Sequence, residues 1–287
     1  MDLGAETGAT TGMATLMTPA EYVALPRAEP DVRSRYGPHP AQFGELYLPD
    51  NAGASPLPVV VLLHGGCWRE RFGLAPLGQL ARALTGLGCA VWNLEFRRLG
   101  AGGGWPTTFR DAAAGIDFVR SLAEDQPLDP GHTVLAGHSA GGHLALWGAG
   151  RSNLPPDSEL YEPVPLAVRG VISLAGIPDL VEAEQIGICG GAPAELMGGG
   201  VETYPERYRS GSPLHGPALR VPQWHVSGEG DILVPASYVE QCVARARARG
   251  EHSTLVEVPG AGHFEIITAG HAAFQPVEGA FREALAV

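Results

Sequence analysis

Residues 137–141 read GHSAG, and a serine set between glycines straight after the apolar run VLA has one evident chemical use. In a tight strand-to-helix turn the Ser139 hydroxyl stands above the sheet edge at the start of the next helix. The N–H of Ala140 then points at whatever bonds to it. Bulky neighbours would clash across such a turn, and Gly137 and Gly141 supply the clearance. The plain alternative is an ordinary glycine-rich turn. A serine hydroxyl attacks a carbonyl only when a base takes its proton, and the base needs a carboxylate to orient it. His263, in PGAGHFE, and Asp231, in VSGEGDILVP, follow Ser139 in the order Ser, Asp, His. Glu229 is the competing acid. The apolar ILVP after Asp231 resembles the end of a loop entering a helix and favours Asp231.

A tetrahedral intermediate also needs donors for its oxyanion. HGGCW, residues 64–68, follows a buried apolar run, and its glycines let the backbone approach a substrate. The expected oxyanion hole is the N–H groups of Gly66, Cys67 and Ala140, with Gly65 as a substitute. His64 is expected to be structural, bonding within its own loop. His138 and His143 are five apart, a poor match to the spacing of a helical metal pair, so no metal site is expected. Phe264, next to the base, is a candidate pocket residue. Trp68 either walls the pocket or packs in the core. Ile177, Leu180 and His215, with Tyr204 and Tyr208, are weaker candidates.

Several elements must converge to bring these residues together. AQFGELYLPD (41–50) reads as a strand. VVVLLHGG (59–66) is a continuous β-branched and leucine run, the mark of a strand buried on both faces of a parallel sheet. Helical patterns at 74–87, 109–124, 140–150, 236–249 and 271–285 alternate with strands at 89–96, 132–138, 168–176, within 222–231, and from 253. This alternation predicts an α/β fold with a doubly wound, mostly parallel sheet and helices on both faces. Residues 179–221 break the rhythm with GICGGAP, MGGG and PERYRSGSPLHGP, and read as a lid or pocket wall. Residues 1–35 read as a partly disordered or irregular extension, loosest over 1–17. Residues 18–40 are irregular or hold a short helix, and 36–287 form one domain.

Composition removes other classes of function. The formal net charge is −12, which argues against nucleic acid as a partner. The one basic stretch, VARARARARG, places Arg245, Arg247 and Arg249 near a helix end, where they read as solvated and dipole-complementing. All 19 basic residues are arginine, which excludes a Schiff-base lysine, a Ser–Lys dyad and a Walker A lysine. The four cysteines are scattered without a CxxC pair, so neither a disulfide framework nor a zinc ribbon is expected, and free thiols suit a reducing cytoplasm. The N-terminus lacks the basic and apolar regions of a signal peptide, and no apolar run is long enough to span a membrane.

HGGCW, GHSAGGHLA, the Asp of GEGDILVP and the His of GAGHFE together resemble the α/β-hydrolase superfamily. Within it they look most like the esterase/lipase group with an HGG loop, and especially the kynurenine formamidase (arylformamidase) branch, which has HGGxW. YGPHPAQFGELYLP and PERYRSGSP are also similar to that group, so the resemblance runs from about Tyr36 to the C-terminus. It implies Ser139 as nucleophile, Asp231 as orienter, His263 as base and acid, and no organic cofactor. The expected activity is a cytoplasmic serine hydrolase of a small ester or activated amide, with an N-formylkynurenine-type substrate first and a general short-acyl carboxylesterase as the alternative. A homodimer stays open. A retired hydrolase that only binds ligands is a remote alternative, and a peptidase ranks low because the chain leaves no space for a gating domain.

Overall fold

The computed structural model describes residues 16–50 and 55–287; the expectation that the first fifteen residues are loosely ordered lies outside them. Among the described residues the strands are β1 (Val32–Arg35), β2 (Phe43–Tyr47), β3 (Leu57–Leu63), β4 (Ala90–Leu94), β5 (Leu128–His138), β6 (Gly170–Leu174), β7 (Gln223–Gly228) and β8 (Ser253–Val258). They form one sheet in the order β1-β2-β4-β3-β5-β6-β7-β8. β1 and β2 pair antiparallel at one edge, and every pairing from β4 to β8 is parallel.

The apolar run of β3 is continuous because both of its faces are covered. Val59, Val61 and Leu63 enter one core, and Val60 and Leu62 enter the other. On the first face lie α3 (Thr107–Asp117), α4 (Val119–Asp125), α5 (Ala140–Gly150) and α9 (Ala236–Ala248). On the second lie α2 (Gly78–Thr85) and α10 (Phe274–Leu285), with Tyr22 of the short α1 (Pro19–Val23). All residues of α5 are buried, as an all-round apolar helix against the sheet centre must be. Three more helices, α6 (Leu180–Gln185), α7 (Ala192–Met197) and α8 (Pro205–Gly211), occupy the stretch between β6 and β7.

Three features depart from the sequence reading. β1 is an added edge strand whose alternating VRSR exposes its arginines. The helix expected over 109–124 is two helices meeting at Phe118, whose ring turns inward against Trp92. The arginines near the end of α9 are not merely solvated. Arg245 bridges Asp179 and Glu182 on α6 and its cap, and Arg249 pairs with Glu251.

β3, β5, β7 and β8 are parallel, so the loops leaving their C-terminal ends share one edge of the sheet. Those loops carry residues 64–68, Ser139, Asp231 and His263.

Candidate active site

Ser139 takes φ 54° and ψ −121°, a conformation that only an over-determined turn imposes on a side chain. Its N–H donates to Leu174 O at 2.8 Å, which anchors the turn to β6. A Cβ on Gly137 would lie 2.1 Å from Gly141 O, and one on Gly141 would lie 2.1 Å from Leu63 O. Neither backbone atom can yield, so any larger residue would open the turn.

His263 Nδ1 meets Asp231 Oδ2 at 2.6 Å, with both residues buried. The Nδ1–H donates to the carboxylate, which leaves the Nε2 lone pair for the cavity. The other Asp231 oxygen accepts from Leu233 N (2.8 Å) and Val234 N (2.9 Å), which fixes the carboxylate before α9 begins. Glu229 turns away and accepts from Gly260 N at 3.1 Å. The His138 Nε2–H donates to His263 O at 3.0 Å and its ring packs on His263. Burial, then the neighbouring His263, holds His138 well below the usual histidine range, so it packs there as a neutral ring.

In the 64–68 loop Gly66, Cys67 and Trp68 all have positive φ (108°, 53° and 54°). Two non-glycine residues in succession stay there only because the loop is pinned. Leu99 N donates to Trp68 O, Arg69 N to Gly66 O, and Cys67 is joined to Cys189 by a disulfide. The N–H groups of Gly66, Cys67 and Ala140 find no acceptor among the described residues, so they are free for a ligand. His64 Nδ1 lies 2.8 Å from Gly65 O, within its own loop, and Nε2 lies 2.9 Å from Glu95. Burial alone would raise the Glu95 carboxyl, but facing His64, with Arg98 and the Phe96 N–H, holds it below the usual range.

The disulfide corrects the reading of four free thiols; Cys89 and Cys242 remain free and buried. With two of the four cysteines joined, the thiols do not point to a reducing compartment. The bridge closes a sequence separation of 122 residues. Cys67→Ser with Cys189→Ser is therefore expected to cost about 2–5 kcal/mol, on the order of 10 °C in Tm. Calorimetry of the double variant against wild type under non-reducing conditions checks this, and an unchanged Tm would contradict it.

Ser139 and His263 line one mainly apolar cavity of about 250 Å³ together with Gly65, Gly66, Cys67 and Phe264. Trp68 does not line it: its ring is buried edge-on to His143 in the core. Ile177, in the connection from β6, and Leu180, the first residue of α6, are fully buried in the same core. His215 sits away from the cavity and meets the Asp179 carboxylate at 3.1 Å. Tyr208 is core, and Tyr204 stacks under Arg207. From the 179–221 stretch only Cys189 reaches the wall.

The remaining wall comes from residues that the sequence reading passed over. Pro19, Tyr22 and Val23 of α1 close one side, and Arg71, Phe72 and Pro76 close another. Tyr22 stacks on Phe264 with ring centroids 5.1 Å apart. The buried Glu265 carboxylate accepts from both Met17 N and Gly262 N, tying the start of α1 to the His263 loop. A TPAEY capping signal at 18–22 marks the helix in the sequence, but nothing local says where it packs.

The BD-FAE family model matches residues 45–243. Esterase LipC of Mycobacterium tuberculosis is 27% identical over 241 residues, covering 80% of this chain and 59% of LipC. Thus the chain spans little more than half the length of the curated relatives it matches. Among solved structures, a truncated carbohydrate esterase from gut microbiota superposes with a TM-score of 0.75 at 20% identity, covering 91% of this chain and 98% of that one. The thermophilic esterase Est2 of Thermogutta terrifontis gives 0.68 at 21% identity, with 87% and 89% covered. With the eight-stranded, mostly parallel sheet, these likenesses show an α/β-hydrolase fold.

Proposed function

The chain belongs to the BD-FAE family, and from that premise we propose that it is a serine hydrolase of carboxylic esters with Ser139 as nucleophile, His263 as base and acid, and Asp231 as orienter. The observation that carries the reading is the 2.6 Å His263–Asp231 contact facing the same cavity as the strained Ser139. His263 Nε2 takes the Ser139 proton as Oγ attacks the ester carbonyl. The developing oxyanion rests on the N–H groups of Gly66, Cys67 and Ala140, with the start of α5 adding its positive end. His263 then returns the proton to the leaving alkoxide. Water repeats the sequence on the acyl-enzyme and frees the acid.

An ester is favoured over the formamide that HGGxW suggested. LipC, the gut carbohydrate esterase and Est2 are esterases by name. Of Trp68 and Phe264, the aromatics suited to gripping an aryl amine, only Phe264 lines the cavity, and Trp68 is packed in the core. Turnover of p-nitrophenyl acetate, butyrate and octanoate against N-formylkynurenine tests the reading. Faster turnover of a short ester supports it, and faster turnover of the formamide restores the other substrate.

The assignment of the acid has its own test. Asp231→Asn is expected to lower kcat about 10³- to 10⁴-fold on the best ester, because the imidazole loses its orienting charge. Glu229→Gln, on the surface turn, is expected to stay within about threefold of wild type. Equal losses for the two variants would remove Asp231 from the role.

A further inference from the structure

A second hollow of about 300 Å³ opens beside the Ser139 cavity, and the two share Val23, Arg71, Phe72, Gly73 and Pro76. We propose that this annex, lined by Arg27, Arg33 and Arg71, binds a carboxylate or other anionic group carried by the ester, so that the substrates are anionic esters. The inference rests on the esterase reading above and names the substrate class of that site.

Three observations carry it. First, of the 19 arginines, only five side chains make neither an ion pair nor a hydrogen bond among the described residues: Arg27, Arg33, Arg71, Arg209 and Arg220. Three of those five line this one hollow. All three are exposed, so water rather than a fixed carboxylate solvates their charge, and an anionic group entering the hollow can take its place. Second, two of them are held without being neutralised. The Arg33 guanidinium lies 4.0 Å from the centre of the Phe43 ring, and that of Arg71 lies 4.7 Å from Phe72. Stacking on a ring orients a guanidinium plane and leaves its N–H edge free for bidentate contact with an oxyanion. Third, the acids of the annex form no ion pair with these three arginines. Glu95 is committed to His64 and Arg98, and Glu45, which stands opposite Arg33 in the β1–β2 ladder, accepts from the Tyr47 hydroxyl and makes no ion pair with an arginine.

The geometry does not depend on which end of the ester bears the charge, so the test has two arms. One compares p-nitrophenyl butyrate with the p-nitrophenyl monoesters of succinate, glutarate and adipate. The other compares phenyl acetate with 3- and 4-acetoxybenzoate. In at least one arm the anionic ester is expected to be preferred about 5- to 30-fold in kcat/KM, chiefly through KM, as charged hydrogen bonds in an open groove allow. The preference is expected to shrink in 0.5 M NaCl. Arg33→Gln combined with Arg71→Gln is expected to abolish the ratio, whereas Arg209→Gln, off the annex, keeps it. Arg33→Glu is expected to turn the ratio towards esters with a cationic group, a readout that a damaged fold does not produce. Hydrolysis of neutral esters with no anionic preference in either arm, or a preference indifferent to the Arg33 and Arg71 variants, overturns the inference and leaves the esterase reading standing. No Ser139-dependent hydrolysis of any ester overturns both.

Discussion

Ser139→Ala is expected to lower kcat/KM for p-nitrophenyl butyrate by about 10⁴- to 10⁶-fold. The side chain loses only its Oγ, while the turn that holds it is built from other residues: Gly137 and Gly141 make its clearance, and Leu174 O holds the Ser139 N–H. The variant is therefore expected to fold with stability within about 1 kcal/mol of wild type. Residual rate above water comes from the oxyanion donors and from binding, which the substitution leaves in place. Steady-state kinetics on enzyme whose circular dichroism and Tm match wild type checks this. A rate within about tenfold of wild type would show that the bond is broken without the hydroxyl.

Acid is expected to unfold the protein between about pH 6.5 and 4. His143 and His225 are pushed down to about 4, in both cases mainly by burial. His138 is also held low by burial and by His263. Unfolded histidines titrate near 6.5. In the window between these values the unfolded chain binds more protons than the folded one. Stability is thus fully present above 6.5 and falls as the pH drops towards 4. His143 and His225 alone contribute a loss of about 3–4 kcal/mol by pH 5. Glu95 and Asp179, held below their usual carboxyl values of 4.5 and 3.8, extend the loss at still lower pH. The urea midpoint at pH 7.5 and at pH 5.0 measures the effect. His143→Gln, which keeps a donor for Gly211 O, is expected to flatten the dependence. A midpoint unchanged across that range would contradict the account.

The candidate residues that the structure gathers at one sheet edge are legible in the sequence because each sits in a local pattern tied to an element. GHSAG follows a strand and opens a helix, HGG ends a strand buried on both faces, and Asp231 and His263 each follow a strand. Their shared edge follows from parallel pairing alone. The pocket wall was not legible, because its residues come together only through packing. α1 carries a capping box, yet its docking depends on Tyr22 meeting Phe264 and on Glu265 taking Met17 N, contacts that span the chain. Cys67 and Cys189 looked unrelated because 122 residues separate them, and no spacing rule joins cysteines so far apart. Ile177 and Leu180 misled in the opposite direction: an apolar residue in a presumed lid reads equally well as pocket or as core. β1 was missed because VRSR presents its arginines outward and buries little.

At the centre of the account is a covalent adduct on one side chain. Wild-type protein treated with a fluorophosphonate and digested for mass spectrometry should carry a single stoichiometric adduct on the peptide containing Ser139, with ester hydrolysis lost in proportion to labelling. Folded, active protein that takes up no label, or that is inactivated by label on another residue, would contradict it.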